Sequence, residues 1–309
     1  MAAEQQLRFL PYGRCGVMTN RKSTPYLYIL PAMIIISIFI YYPVIENLRS
    51  GFYSWSPFSS TRDFNGIDNY IRLFKDAIFY VALKNTLLHA IISLVCQVLG
   101  GMILAAILED KIFRRVSPLF RTIYFIPVLI SVSVIGLLFS FVYNPQIGLL
   151  NHFLGMIGLG EYATGWLGNS STAIYAVIAM SQWQGIGYIT MLYIVAIQKI
   201  PAELYEAAKI DGSSKIQSFW RITVPQVKEM TFVTVVFVIS QSFLTFADVF
   251  VLTNGGPGYS SQVLSTYLYD KAFIDSEMGY ASAIANVILA ITFLLYVMQT
   301  KLFKTDEEG

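Results

Sequence analysis

Charged residues make up only 13% of the 309-residue sequence, where an average soluble domain carries about a quarter. That shortfall excludes an ordinary water-soluble core, and with it any division into domains from length alone. A basic excess is also missing, because a net charge of +2 lacks the concentrated footprint of a nucleic-acid binder. Two cysteines, Cys15 and Cys96, cannot build a disulfide framework and define no redox compartment. The only histidines, His89 and His152, form no metal-spaced cluster. His89 reads as a helix-packing or interfacial residue. There is no G-x-x-x-x-G-K-[ST] phosphate loop and no catalytic constellation. A membrane-embedded enzyme would need intramembrane histidines or carboxylates beyond Asp248.

Apolar residues fill the gap: 55% of the sequence is hydrophobic and the mean hydropathy is +0.58. Reading from one charge to the next isolates neutral runs at 23–45, 85–108, 122–143, 170–198, 230–247 and 278–300. A bilayer core of about 30 Å takes roughly 20 apolar residues as a helix, so the expectation is an all-α integral membrane chain with six transmembrane helices. The fifth run is the shortest and is expected to continue past Asp248 through Leu252. A charge at the bilayer centre costs about 2.5–3.5 kcal/mol on insertion scales, so Asp248 belongs near a membrane face or in a polar cavity. The first run follows Arg21 and Lys22 like a secretory signal. It is longer than such a core, and Tyr41-Tyr42-Pro43 replaces the small-residue cleavage site, so it reads as a retained helix. The stretch 1–17 is expected to be disordered or an over-extended start, with Met18 as the second candidate start.

Fifteen of the 21 basic residues fall on the side that carries both termini and the 199–229 loop. The positive-inside rule assigns that side to the cytoplasm. Residues 1–22 then form a cytoplasmic segment, 23–303 the six-helix domain and 304–309 a cytoplasmic tail. Trp55, Tyr70, Tyr143 and Trp166 can anchor the membrane interfaces.

The 199–229 loop is the most patterned part of the chain. Pro201 suits a first helical turn, Glu203 favours its positive end, and Leu204, Ala207, Ala208 and Asp211 share one face. Gly212 permits a turn that a side chain would resist. A second helix opens with Ser214 and Gln217 in capping-box spacing, with Ile216, Phe219, Trp220 and Thr223 on one face before Pro225. A hairpin resting on lipid headgroups would show similar spacing. The Ala207-Ala208 pair favours close packing against protein instead.

Glu206-Ala207-Ala208 with Asp211-Gly212, then Phe219, Ile222 and Pro225, resembles the EAA loop of permease subunits in binding-protein-dependent ABC importers. More narrowly, the sequence is similar to carbohydrate permeases of the maltose and glycerol-phosphate type. Thr253-Asn254-Gly255-Gly256-Pro257, Gly279-Tyr280-Ala281-Ser282-Ala283, and Phe64-Asn65-Gly66 with Asn69-Tyr70 resemble further elements of that family, and the likeness covers roughly 24–303. It implies a type I ABC importer transmembrane domain in the cytoplasmic membrane, with two separate ATPase subunits that use ATP and Mg. It also implies an extracytoplasmic solute-binding protein and a second permease subunit, more often a different one than a second copy. The chain itself would bind no cofactor. In the coupling role that the resemblance gives the loop, Ala207 and Ala208 dock closely, Glu206 and Asp211 make polar contacts with the ATPase, and Gly212 makes the turn. Glu206 lies opposite the alanine pair on the wheel, so a solvated charge stays open.

Two polar stripes mark a pathway. Ser181, Gln184, Gly185 and Tyr188 on the fourth helix, and Gln241, Ser242, Thr245 and Asp248 on the fifth, each fall within about a 100° arc at 3.6 residues per turn. Polar residues in membrane helices face a bundle interior or a water-filled path. Amides and hydroxyls would bind sugar hydroxyls, Tyr188 would stack on a sugar face, and Gly185 would leave room for a ring. Interhelical hydrogen bonding, worth on average about 0.6 kcal/mol, is the better account of any single Ser or Thr among them, while two stripes of four together favour a joint cavity. Trp183-x-Gly185-x-x-Tyr188 resembles a recurring pattern on the family's fourth core helix, whose face touches substrate. With no basic cluster on either stripe, a neutral saccharide is favoured, while polyols, glycerol phosphate and glycans stay open. Gln97 with Gly100-Gly101 reads as close helix packing. A self-contained secondary transporter or channel is the alternative, but inverted repeats and ion-coupling carboxylates are not found.

Overall fold

The computed structural model describes residues 24–113 and 115–304; the expected amino-terminal segment 1–22 and residues 305–309 of the tail lie outside the described residues. The chain divides into two units, one ending at Glu46 and one beginning at Asn47. The first is a single helical run: α1 (Thr24–Ile36), a π turn (Ser37–Tyr41) and the start of α2 (Tyr42–Ser50). Pro31 lies inside α1.

The second unit is helical apart from one two-residue ladder, β1 (Tyr53–Ser54) against β2 (Asp63–Phe64), antiparallel with Tyr53 opposite Phe64. It continues with α3 (Asp68–Leu73) and α4 (Ala77–Ser93), which passes through a π turn (Leu94–Leu99) into α5 (Gly100–Glu109). Asp76 starts α4 as its N-cap, accepting a hydrogen bond from the Ile78 N–H at 2.9 Å. Then follow α6 (Ser117–Leu129), α7 (Val132–Val142), α8 (Leu149–Met156) and the 25-residue α9 (Ala173–Ile197). The loop holds α10 (Ala202–Ile210), α11 (Lys215–Ser218) and α12 (Val224–Gln226). Last come α13 (Lys228–Leu244), α14 (Ala247–Leu252), α15 (Leu264–Tyr269) and α16 (Met278–Lys304).

Among the described residues, three helices are long and apolar enough to cross a bilayer: Tyr28–Ser50, Ala77–Glu109 and Met278–Lys301. Counting each of three sharply bent helix pairs as one span raises the number to as many as six. The third neutral run is not one helix. It breaks at Ile130-Ser131, both in extended backbone, and α6 and α7 diverge by 103°. Pro127, inside α6, removes an N–H from the helical ladder just before the break. The fifth run also breaks, at Thr245-Phe246, so the expected continuation to Leu252 exists as the separate helix α14.

Three apolar clusters hold the second unit together. One joins Phe79, Phe243, Leu264, Tyr267 and Ile284 from α4, α13, α15 and α16. A second joins Met102, Ala105, Ile189, Tyr193 and Val238 from α5, α9 and α13. A third packs Val177 and Ile178 of α9 on Val249 of α14. The central helix α9 takes part in two of the three, so its packing positions both the first polar stripe and the start of the loop.

Candidate pathway and coupling surfaces

The two polar stripes meet at one pair. The Ser181 hydroxyl on α9 donates to the Asp248 Oδ2 on α14 at 2.6 Å, 67 residues apart in the chain. The break at Thr245-Phe246 makes this possible by starting a new helix whose first turn carries Asp248. It also dissolves the single arc expected on the fifth helix. Gln241 is exposed, while Ser242 is buried and donates to the Val238 carbonyl of its own helix at 2.8 Å. Thr245 stands half-buried at the break itself. The four residues therefore do not form one surface.

On α9, Gln184 donates to the Ile130 carbonyl at 3.3 Å, occupying an acceptor at the α6–α7 break. Tyr188 packs its ring on Phe237 with centroids 5.4 Å apart. Gly185 does not hold open a space for a sugar ring: the Gln97 side chain occupies it, with amide atoms 2.8–2.9 Å from where a Cβ would stand. Gln97 in turn bonds Gln182 at 2.9 Å. Sequence reading missed this contact because the π turn at Leu94–Leu99 shifts the register of every residue after Ser93, and no residue pattern announces it. Gly101 also packs closely on α9, beside Ile189 and Thr190, so the packing expectation holds for the glycine as for the glutamine. His89 is buried on α4, as expected of a packing residue.

Two residues beyond Asp248, Phe250 opens onto a cavity of about 340 Å³ lined also by Asn254, Tyr259, Tyr269, Asp270 and Lys271. Phe250 stacks on Phe246 at 5.0 Å, and both rings touch Tyr269. Burial pushes the Asp270 carboxyl above the usual range, against the opposing hydrogen bond from Gln262 at 2.7 Å.

The loop is built as its residues require. The α10 helix leaves α9 at 78°, and the α11–α12 segment meets α13 at 74°. Gly212 has φ +77°. The Gly212 N–H donates to the Lys209 carbonyl at 3.2 Å, and the Ser213 N–H reaches the Ala208 carbonyl at 2.8 Å. This pair is a Schellman closure, which needs a left-handed residue at the Gly212 position. Ser214 and Gln217 form the expected capping box, with bonds of 2.9 and 3.3 Å. The second helix departs from expectation: a π turn at Phe219–Thr223 interrupts it. Thr223 is consequently buried while Ile216 and Trp220 are exposed, so the four residues do not share a face. Thr223 instead bonds the Tyr205 hydroxyl at 2.9 Å and pins the hairpin. Glu206, Ala207 and Asp211 are exposed and Ala208 is half-buried. Ile210, which the sequence analysis did not single out, is 86% exposed at the tip of α10. The loop is anchored to the end of α5 by Lys215, whose Nζ lies 2.6 Å from the Asp110 carboxylate. That hydrogen bond, with one from the Ile112 N–H, holds the Asp110 carboxyl below the usual range. Glu109 beside it pairs with Arg121 and accepts from Gln198 at 3.2 Å, joining the ends of α5, α6 and α9.

Residues 97–304 match the family model described as "binding-protein-dependent transport system inner membrane component". The chain belongs to this family. Among relatives of this permease, the probable ABC transporter permease protein YurN of Bacillus subtilis is 54% identical over 94% of this chain and 100% of its own length. The multiple sugar-binding transport system permease protein MsmF of Streptococcus mutans is 30% identical over 91% of this chain and 95% of its own. The fold matches that of a bacterial ABC transporter involved in the import of the acidic polysaccharide alginate. That match has a TM-score of 0.79 and 25% identity, and it covers 91% of this chain and 95% of that one.

The three remaining sequence motifs of the permease converge away from the loop. Asn69 donates to the Gly51 and Tyr53 carbonyls at 2.9 and 3.0 Å, fixing the Phe64–Tyr70 cap on β1. A side chain at Gly279 would meet the Tyr53 carbonyl oxygen, so the Gly-Tyr-Ala-Ser-Ala element packs directly on the same strand. Asn85 of α4 donates to the Ser260 and Gln262 carbonyls, both at 2.8 Å, holding the connection that follows Gly255-Gly256-Pro257. Of the expected interface anchors, Tyr143 is buried and donates to the Ala176 carbonyl at 3.0 Å, so it ties α7 to α9 rather than facing lipid.

Proposed function

We propose that this permease is the pore-forming subunit of an ATP-driven importer that moves a neutral saccharide from an extracytoplasmic binding protein into the cytoplasm. The observation that carries the reading is the division of polar groups. One set, Ser181 with Asp248, lies between membrane helices, and the other forms an exposed helix–glycine–helix loop at a steep angle to them. A chain with no phosphate loop needs an ATPase in trans, and a protruding loop with exposed Leu204, Ala207 and Ile210 provides a face for it. The saccharide assignment is supported by the names of its relatives and by a pathway face of hydroxyl and amide groups without a basic cluster. Both termini and the loop lie in the cytoplasm by charge, and a second, similar permease completes the pore. The partner ATPase subunits use ATP and Mg; this chain holds neither.

The test is purification of the tagged chain from its native membrane in mild detergent. The expected complex contains two ATPase copies and a second permease. In proteoliposomes, saccharide uptake should then require both ATP and the binding protein. Uptake driven by an ion gradient without an ATPase would overturn the assignment.

A further inference from the structure

A buried polar chain runs from α4 to α9 behind the pathway face. Gln97 Nε2 donates to Gln182 Oε1 at 2.9 Å, and Gln182 Nε2 donates to Ser93 Oγ at 3.0 Å. Ser93 Oγ lies 3.4 Å from His89 Nδ1. The direction of this chain is fixed as far as Ser93. Gln182 Nε2 also donates to the Ile178 carbonyl at 3.1 Å, so its amide cannot flip without setting oxygen against oxygen. Ser93 therefore accepts from Gln182, and its hydroxyl meets His89 Nδ1 as donor or acceptor according to the imidazole tautomer. The other ring nitrogen, His89 Nε2, is buried and has no protein partner among the described residues. Burying the three polar side chains of Gln182, Ser93 and His89 and leaving one ring nitrogen unpaired is unfavourable. Close approach of α5 and α9 does not require it, since Gly100 and Gly101 already bring Ile186 and Ile189 into contact.

The other end of the chain is not buried. Gln97 is half-exposed, its Oε1 makes no hydrogen bond among the described residues, and its amide lies flat over Gly185. Gly185 is the centre of the α9 face that carries Ser181 and Tyr188. We propose that Gln97 is a substrate-contacting residue of the pathway, presenting an amide to the hydroxyls of a neutral saccharide, and that Gln182, Ser93 and His89 are the positioning residues that fix its orientation. The proposal rests on the reading of that face as the pathway. The π turn is the device that delivers Gln97 there, in keeping with the frequent placement of such turns at functional sites.

The experiment uses the assembled transporter with Cys15 and Cys96 replaced by serine, and single cysteines at 97, 248 and 95. The membrane-impermeant thiol reagent MTSET is applied to both membrane faces, with and without ATP and vanadate. Gln97→Cys and Asp248→Cys should be modified in at least one state, while Val95→Cys, an apolar position 57% exposed on the same turn and read as facing lipid, should not. Labelling at 248 without labelling at 97 overturns the proposal and leaves the pathway standing; labelling at neither overturns both. Nitrogen-15 histidine spectra in nanodiscs should show one predominant tautomer of His89, becoming a mixture in Gln182→Leu. The same tautomer populations in the unsubstituted protein and in Gln182→Leu would overturn the positioning chain.

Discussion

At the scale of single residues, two glycines on one helix carry opposite requirements. A methyl at Gly187 would collide with the Tyr124 carbonyl oxygen, a main-chain atom of α6 that cannot turn aside. A methyl at Gly185 meets only the terminal amide of Gln97, which can shift by giving up its bond to Gln182. Gly187→Ala should therefore force α6 off α9, with the roughly 1–3 kcal/mol or more typical of overpacking, visible as lost yield and a lower thermal midpoint in detergent. Gly185→Ala should keep near-normal yield and midpoint while displacing the glutamine amide, so that uptake falls at unchanged expression. Equal midpoints for the two variants would contradict the packing. A second residue-scale prediction concerns Asp76, which caps α4 and accepts from the buried Tyr267 and Tyr280 hydroxyls, the latter at 2.8 Å. Burial pushes its carboxyl up, but these bonds and the Ile78 and Phe79 N–H groups outweigh that and hold it below the usual range. A carboxyl with a depressed folded value stabilises fully above its unfolded value and loses that stabilisation as pH falls through the folded one. Thermal midpoints should thus decline on the acid side, and Asp76→Asn should flatten that decline. Asp76→Ala should cost about 1–3 kcal/mol at neutral pH, through the lost cap and the stranded phenols.

At the scale of elements, Gly212 makes the strongest case for the loop as a mechanical part. Nothing lies within 4 Å of its missing side chain, so space is not the constraint; the backbone at φ +77° is. A β-branched residue there pays roughly 1–2 kcal/mol in left-handed strain and would open the Schellman closure. Gly212→Val should leave the transporter assembled and its ATPase active while uptake per ATP hydrolysed drops severalfold. Normal coupling in proteoliposomes would refute that role. The same loop shows what was legible in the sequence. Capping box, turn glycine and the proline boundary are local devices, set by residues within four positions of one another, and each stands where the residues placed it. The long apolar runs that became Ala77–Glu109 and Met278–Lys301 were legible for the same reason. The breaks at Ile130 and Thr245 were not, because the groups that stabilise them come from elsewhere in the chain: Gln184 for the Ile130 carbonyl and Ser181 for Asp248. The π turns escaped notice for a related reason. An extra residue in a helical ladder leaves the composition unchanged and moves only what the following side chains face, which is how the contact of Gln97 with Gly185 stayed out of view.

At the scale of the whole molecule, scarcity of charge became a partition of surfaces. Apolar side chains cover much of the exterior, as a lipid-facing chain requires, and their presence there says little about any one of them. Ile210 is different because it is apolar and 86% exposed on a loop whose neighbours Glu206, Lys209 and Asp211 are charged and exposed. An isoleucine amid those charges, at the tip of a helix that turns 78° away from α9, is the side chain that the proposed ATPase docking would bury. Burying one isoleucine contributes about 1.5–3 kcal/mol, which converts to roughly a 10- to 150-fold change in affinity. Ile210→Asp should therefore abolish retention of the ATPase subunit through detergent purification. Membrane insertion and retention of the second permease should not change, since neither depends on the loop tip. Undiminished ATPase recovery with Ile210→Asp would mean that the ATPase grips the permease elsewhere, and that the exposed end of α10 serves some purpose other than docking.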